Sequence, residues 1–149
     1  LLENADEPYA EEISKAVIRQ RRIRPIETTT DLKQVIEQAL SFIPEKERKE
    51  AVKKSCQRSF QALRIDVNSE FEVLEAFLQK LPDVLNQGGR VAVLTFHSGE
   101  DRLVKKSFKE NVKAGIYSEA AKDVIRPSAE ECRCNSRAHS TKLRWAVRS

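Results

Sequence analysis

At 149 residues, with 40% hydrophobic and 34% charged side chains, the chain is sized for one domain with a real core rather than two independent ones. No apolar run approaches the roughly 20 residues that cross a bilayer, and the acidic, polar start LLENADEPYA lacks the basic flank and cleavage pattern of a secretion signal. The formal charge is +4, and its placement tells more than its size.

From Lys122 onward, seven basic residues (Lys122, Arg126, Arg133, Arg137, Lys142, Arg144, Arg148) stand against Asp123, Glu130 and Glu131, which is the whole excess. The rest of the chain is neutral overall, with one local cluster, RQRRIR, at Arg19 to Arg24. Two basic patches on a neutral body suit a phosphate-tracking surface; cations keeping a helix end and an edge strand soluble explain the charge as well. Three cysteines, an odd number, do not suggest a disulfide framework, so a reducing, cytoplasmic setting is expected. A chain without Met that begins with Leu is expected to be a piece of a longer protein.

In chain order, Tyr9, Ile13, Ala16 and Val17 repeat at helical spacing, and that helix should run into the arginines, where cations suit the negative end of its dipole. Pro25 disfavours a helical Arg24, and the threonines of RPIETTT offer N-caps. Leu32, Val35, Ile36, Ala39, Leu40 and Ile43 predict an amphipathic helix over Thr30 to Ile43, closed by Pro44. EKERKEAVKKSCQRS reads as an exposed helix leading into FQALRIDV, and Phe71, Leu74, Phe77, Leu78 and Leu81 form a further stripe. Pro82 is expected to start a short extra turn before Gly88 and Gly89 release the chain into a strand.

That strand, RVAVLTF, is apolar at consecutive positions, which predicts a central parallel strand buried on both faces. A helix should begin near Ser98, with Glu100 and Asp101 in its first turn and Lys105, Lys106 and Lys109 later. KDVIRP and KLRWAV are two more short strand candidates separated by a polar loop. The pattern is the back half of an open α/β sheet. In such sheets ligands bind beyond the carboxyl ends of the strands, which puts Phe96, His97 and Ser98 where chemistry usually happens. Phe96 offers a stacking face, His97 and Ser98 offer donors or acceptors, and Glu100, Asp101 and Arg102 could orient them. Fold logic alone leaves two readings open: this site, or His97 as a helix cap and Phe96 as core.

The stretch GGRVAVLTFHSGEDRLVKKSF strongly resembles the signature GGR-apolar-FHSLEDR-apolar-VK of the ribosomal RNA small-subunit methyltransferase H family, once called MraW. The likeness extends through EPYAEEISKAVIRQRRIRPIETTTDLKQVI, RSFQALRIDVNSE and IRPSAEECRCNSRAHSTKLRWAV, and so covers nearly the whole chain in the family's order. It implies an S-adenosylmethionine-dependent enzyme that methylates the exocyclic N4 of one cytidine in small-subunit ribosomal RNA. The implied fold is α/β: the C-terminal half of a class I, Rossmann-like methyltransferase sheet (residues 63–149) plus a helical insert that helps to recognise substrate (residues 1–62). The implied partner is small-subunit ribosomal RNA or the 30S subunit, with no membrane and with a homodimer possible. The N-terminal cofactor-gripping part of the family pattern has no counterpart here, so the fragment alone is expected to be inactive. Gly99 stands where the signature has Leu, which is expected to loosen the helix start, and KKSCQRSF lacks the usual His-Pro-Ala.

An aryl amine is a poor nucleophile, so such an enzyme must orient it towards the methyl donor and accept a hydrogen bond or proton. A base must also leave its stack to be reached. On that map His97 and Ser98 are the expected catalytic residues, lining the cytosine pocket, with Phe96 receiving the base. Asp101 and Arg102 are expected to hold the turn, and Arg137, Lys142 and Arg144 to contact RNA phosphate. Arg64, Asn68 and Glu70 read as polar residues locking the insert to the sheet, and Asn135 and Ser140 as ordering the last loop. No metal is expected: Cys56, Cys132, Cys134 and His139 lack the ligand spacing of a structural zinc site. Trp145 reads as core. The competing expectation is a non-catalytic RNA-binding or interaction module derived from such an enzyme.

Overall fold

The computed structural model describes residue 2 and residues 6–149, which divide into two compact units, Leu1–Asn68 and Ser69–Ser149. The first unit is helical: α1 (Ala10–Ile23), α2 (Thr29–Ala39) and α3 (Glu45–Val67). Arg24 leaves α1 in an extended conformation, as the following proline demands. Thr28 and Asp31 close a capping box on α2: the Thr28 hydroxyl accepts the Asp31 N–H at 3.0 Å, and the Asp31 carboxylate accepts the Thr28 N–H at 3.0 Å. The regular helix then stops at Ala39 rather than Ile43, because the Arg48 side chain donates to the carbonyls of Ser41 (2.7 Å) and Ile43 (2.9 Å) and stabilises a loop there. Ile13, Ile36, Leu40, Ile43 and Val52 form the buried core of this unit. Glu7 is buried against it, accepting hydrogen bonds from Ser55 Oγ (2.8 Å) and the Tyr9 N–H (3.1 Å), with Arg58 at 3.7 Å. α3 runs unbroken to Val67, five residues past the expected boundary at Ala62.

The second unit contains α4 (Glu70–Val84), β1 (Arg90–Thr95), α5 (Ser98–Lys113), β2 (Tyr117–Ala120), α6 (Ala129–Cys134), a 3-10 turn (Ser136–Ser140) and β3 (Lys142–Arg148). Pro82 lies inside α4 instead of starting a new turn, where it has no N–H to offer the Leu78 carbonyl. The α/β class holds, and among the described residues β1 is an antiparallel edge strand where a central parallel strand was expected. The three strands run in the order β1-β3-β2, all pairings antiparallel, with β1 at the edge. Only one face of β1 is covered, because α4 and α5 pack on Val91 and Val93 beside Leu78, Leu81, Val104, Phe108 and Ala146. On the opposite face Leu94 remains half exposed, opposite Leu143, while Trp145 pairs with Ala92 and is only partly buried. KDVIRP contributes one isolated bridge, Ile125 to Leu143, rather than a strand.

β2 was hidden in sequence because YSEA carries only one large apolar side chain. That residue, Tyr117, is fully buried and meets Phe108 edge-on at 5.7 Å. Its hydroxyl has no hydrogen-bond partner among the described residues, and burial pushes its pKa up against the opposing charge of Arg148. A buried unpaired hydroxyl costs free energy that a phenylalanine would not. Tyr117→Phe is therefore expected to raise stability by about 1 kcal/mol, read as a higher urea midpoint at unchanged m value; a lower midpoint would mean that the hydroxyl is satisfied after all. Gly88, with φ of 72°, makes the turn before β1, and the chain there is pinned to the end of β3 by Gly88 N–H to Arg148 O (3.0 Å) and Arg148 N–H to Gly89 O (2.8 Å).

Candidate functional site

The turn from β1 into α5 is built by a chain of hydrogen bonds that the sequence specifies closely. His97 is the N-cap of α5, its Nδ1 accepting the Glu100 N–H at 3.4 Å. Glu100 reaches back past the cap, accepting the Phe96 N–H at 2.9 Å. This is a capping box shifted by one residue, with histidine in the place usually held by Ser or Thr. Because Nδ1 is an acceptor, a neutral imidazole carries its proton on Nε2. That atom is buried without a hydrogen-bond partner among the described residues, although Glu100 Oε1 lies 3.4 Å away. His97 is thus held as a cap, the option that the sequence had left open, while Phe96 is half exposed and not core.

One turn deeper, Asp101 is buried and takes two hydrogen bonds from Arg144, at 2.7 Å from Nε and 3.3 Å from Nη2, with Lys142 Nζ at 3.5 Å. Burial pushes the Asp101 carboxyl up, but the Arg144 hydrogen bond and charge, joined by Lys142, outweigh it and hold the group below its ordinary value. The pair ties the first turn of α5 to β3. Arg144, expected on the RNA side, is buried and committed to Asp101, and Lys142 is mostly covered beside it. Arg102 is exposed and forms no hydrogen bond or ion pair among the described residues, so it does not hold the turn as expected.

Phe96 and Arg137 do come together. They line an open recess of about 360 Å³ with Leu94, Ile125, Asn135 and Thr141. Asn135 caps the turn carrying Arg137 through the Arg137 N–H (3.1 Å), and Thr141 closes it onto Ala138 O (2.8 Å). Ser98 is exposed at the start of α5. Sequence reasoning missed Phe71, whose ring lies 5.8 Å from the His97 ring at 55°. Gly99 passes so close beneath it that a Cβ there would sit 2.6 Å from Phe71 Cζ and 3.2 Å from His97 Cε1. Gly99 does not loosen α5, which starts at Ser98 and runs 16 residues; it makes room for Phe71.

Carboxylate oxygens of Glu70 and Glu100 and a ring nitrogen of His97 lie within 4.8 Å of one another. A metal would need the Nε2 lone pair, which the Nδ1 cap assigns to a proton. Cys132 and Cys134 sit two apart on α6, a spacing that does not put side chains on one helix face.

The sequence pattern of the MraW methylase family matches residues 1–149. The chain belongs to the MraW methylase family. It is 67% identical over its full length to "Ribosomal RNA small subunit methyltransferase H 1" of Lachnoclostridium phytofermentans, covering 41% of that protein. It is 63% identical to the protein of the same name in Agathobacter rectalis, covering 43% of it, and 44% identical over 94% of its length to "Ribosomal RNA small subunit methyltransferase H" of Pseudothermotoga lettingae, covering 45%. The chain spans less than half the length of these curated relatives. For a MraW methylase segment, the Phe96–Asp101 turn and the recess beside it are the candidate site. No helix among the described residues is long and apolar enough to cross a membrane.

Proposed function

We propose that this chain forms the substrate-side part of an S-adenosylmethionine-dependent enzyme that methylates the N4 amine of a cytidine in small-subunit ribosomal RNA. The observation that carries the proposal is the match along the whole chain to relatives whose names specify small-subunit ribosomal RNA methyltransferases. The geometry supports it, because an exposed aromatic and an exposed hydroxyl, Phe96 and Ser98, flank a rigidly capped turn at the end of a strand.

S-adenosylmethionine would supply the methyl group, but the described residues offer it no cradle. Gly88 and Gly89 sit in the turn pinned to β3, Gly99 lies against Phe71, and Gly115 follows α5; none belongs to a glycine-rich loop of the kind that grips such a cofactor. The chain's own part is to receive and orient the base. Phe96 offers a face on which a flipped cytosine stacks, the Ser98 hydroxyl hydrogen-bonds the amine, and His97 acts by fixing both. Arg102 and Arg137 contact phosphate, while Arg144 and Lys142 act through Asp101. The three strands make one end of a class I sheet, whose remaining strands would pair with the outer edge of β1, while elements packed on the opposite face would cover Leu94. Residues of the first unit form the helical insert.

The test is methyl transfer from labelled S-adenosylmethionine to 30S subunits by this chain joined to the remaining part of the Lachnoclostridium phytofermentans relative. Ser98→Ala is expected to lower kcat at least about tenfold, a loss of about 1.4 kcal/mol of barrier lowering, at unchanged RNA affinity. Unchanged kcat would remove Ser98 from the chemistry. No transfer by the unaltered protein, with RNA binding retained, would leave the non-catalytic RNA-binding reading.

A further inference from the structure

Along α5, Arg102, Lys106, Lys109 and Lys113 follow one another at intervals of four, three and four residues, which places them on one face of the helix, with Lys105 beside it. All five are exposed, and none forms an ion pair among the described residues; Glu110, the one acid of the span, pairs with none of them. The helix dipole favours cations only within the last turn, which accounts for Lys113 alone. Solubility does not require them either. Residues 69–149 hold 14 basic and 11 acidic side chains, and without these five the unit would still carry nine basic against eleven acidic.

We propose that the Arg102–Lys113 face of α5 tracks the phosphates of the ribosomal RNA strand that leaves the candidate site, which rests on the proposed RNA substrate and extends the Arg102 contact along the helix. The exposed Ser98 hydroxyl lies four residues before Arg102 and therefore on the same face, so a strand whose base is held at the capped turn meets the stripe as it departs. From Arg102 to Lys113 the helix rises about 16 Å, the length of about five nucleotides of stacked strand at about 3.4 Å each. Four of the five cations are lysines, flexible point charges suited to successive phosphates rather than to the bidentate reading of a base. Such contacts position the nucleic acid without reading its sequence. A membrane is the less suitable partner. The apolar side of α5, through Val104 and Phe108, is already used in the core, and Val112 is its one exposed large apolar side chain, too little for a helix to lie in a lipid surface.

The experiment measures binding of the full chain to a fluorescein-labelled single-stranded RNA between about 50 and 200 mM salt. The triple variant Lys106→Gln, Lys109→Gln, Lys113→Gln is expected to flatten the slope of log K against log salt by about 2, about 0.7 for each lost contact, and to weaken binding by roughly 100-fold at 0.1 M salt. The triple arginine variant at the same positions should keep the slope. The charge-matched control in the same unit, Lys80→Gln, Arg90→Gln, Lys122→Gln, removes three other exposed cations and should lose little. Circular dichroism confirms that α5 still folds. No RNA binding by the parent chain, equal losses in the control, an unchanged slope in the glutamine variant, or stripe-dependent binding to anionic vesicles or to oligoglutamate but not to RNA would each overturn the proposal. Absence of methyl transfer with the slope change intact would instead sink the enzymatic reading and leave this surface standing.

Discussion

Replacing Asp101 with asparagine is expected to destabilise the chain by about 3–5 kcal/mol, the usual cost of leaving one member of a buried ion pair uncompensated. Both carboxylate oxygens are hydrogen-bonded to a guanidinium that is itself 6% exposed. Asparagine keeps the shape and can accept one of the two bonds, so the loss reports charge rather than volume. Adding Arg144→Met should recover much of it, because a buried pair replaced by apolar groups is often neutral. The pH dependence has a definite sign. Asp101 has a lowered pKa in the folded chain, so its contribution is present above the unfolded value, near about 3.9, and is lost as pH falls through the folded value. Urea titrations at neutral pH should show the full gap between parent and variant, and the gap should shrink at about pH 3. A gap of under about 1 kcal/mol at neutral pH would mean that water reaches the pair and screens it.

The part of this arrangement that could be read in sequence was the part set by local rules. Glu100 and Asp101 in the first turn of α5, the cap at Thr28 and the proline after Arg24 all act within a few residues, and each does what its chemistry requires. The pairing of Asp101 with Arg144 was not legible, because 43 residues separate them and an arginine in a basic tail looks like a phosphate ligand. Burial decided its role, and burial is a property of the sheet. The strand RVAVLT misled for a related reason. Its apolar run predicts cover on both faces, yet within this chain helices supply one face only, so Ala92 and Leu94 stay exposed. β2 failed in the opposite direction: Ser118 and Glu119 sit on a strand whose place is fixed by pairing with β3 rather than by its own hydrophobicity.

Gly99→Leu is expected to cost about 1–3 kcal/mol, the range for forcing extra atoms into a packed site, and to disturb the His97 cap as it does so. The contact behind this is the Phe71 ring: a Cβ at position 99 falls 2.6 Å from Cζ and 3.1 Å from Cε1, and the ring is also packed against His97. The ring can give way only by leaving His97, so the strain is shared between the wall of the site and its cap. Phe71→Leu alone opens a gap and should also destabilise, though less than the 3–5 kcal/mol of a full aromatic truncation in a core, since Phe71 is only partly buried. Combined, the two leucines should fit where the glycine and the ring now sit. The family signature has leucine where this chain has Gly99 against the Phe71 ring. A double-mutant cycle in urea is therefore expected to give a favourable coupling of roughly 0.5–3 kcal/mol. The His97 ring resonances should move in each single variant and return in the double. Additive losses with no recovery would show that Phe71 and Gly99 are independent, and that the glycine answers to the backbone of the α5 start instead of to the ring above it.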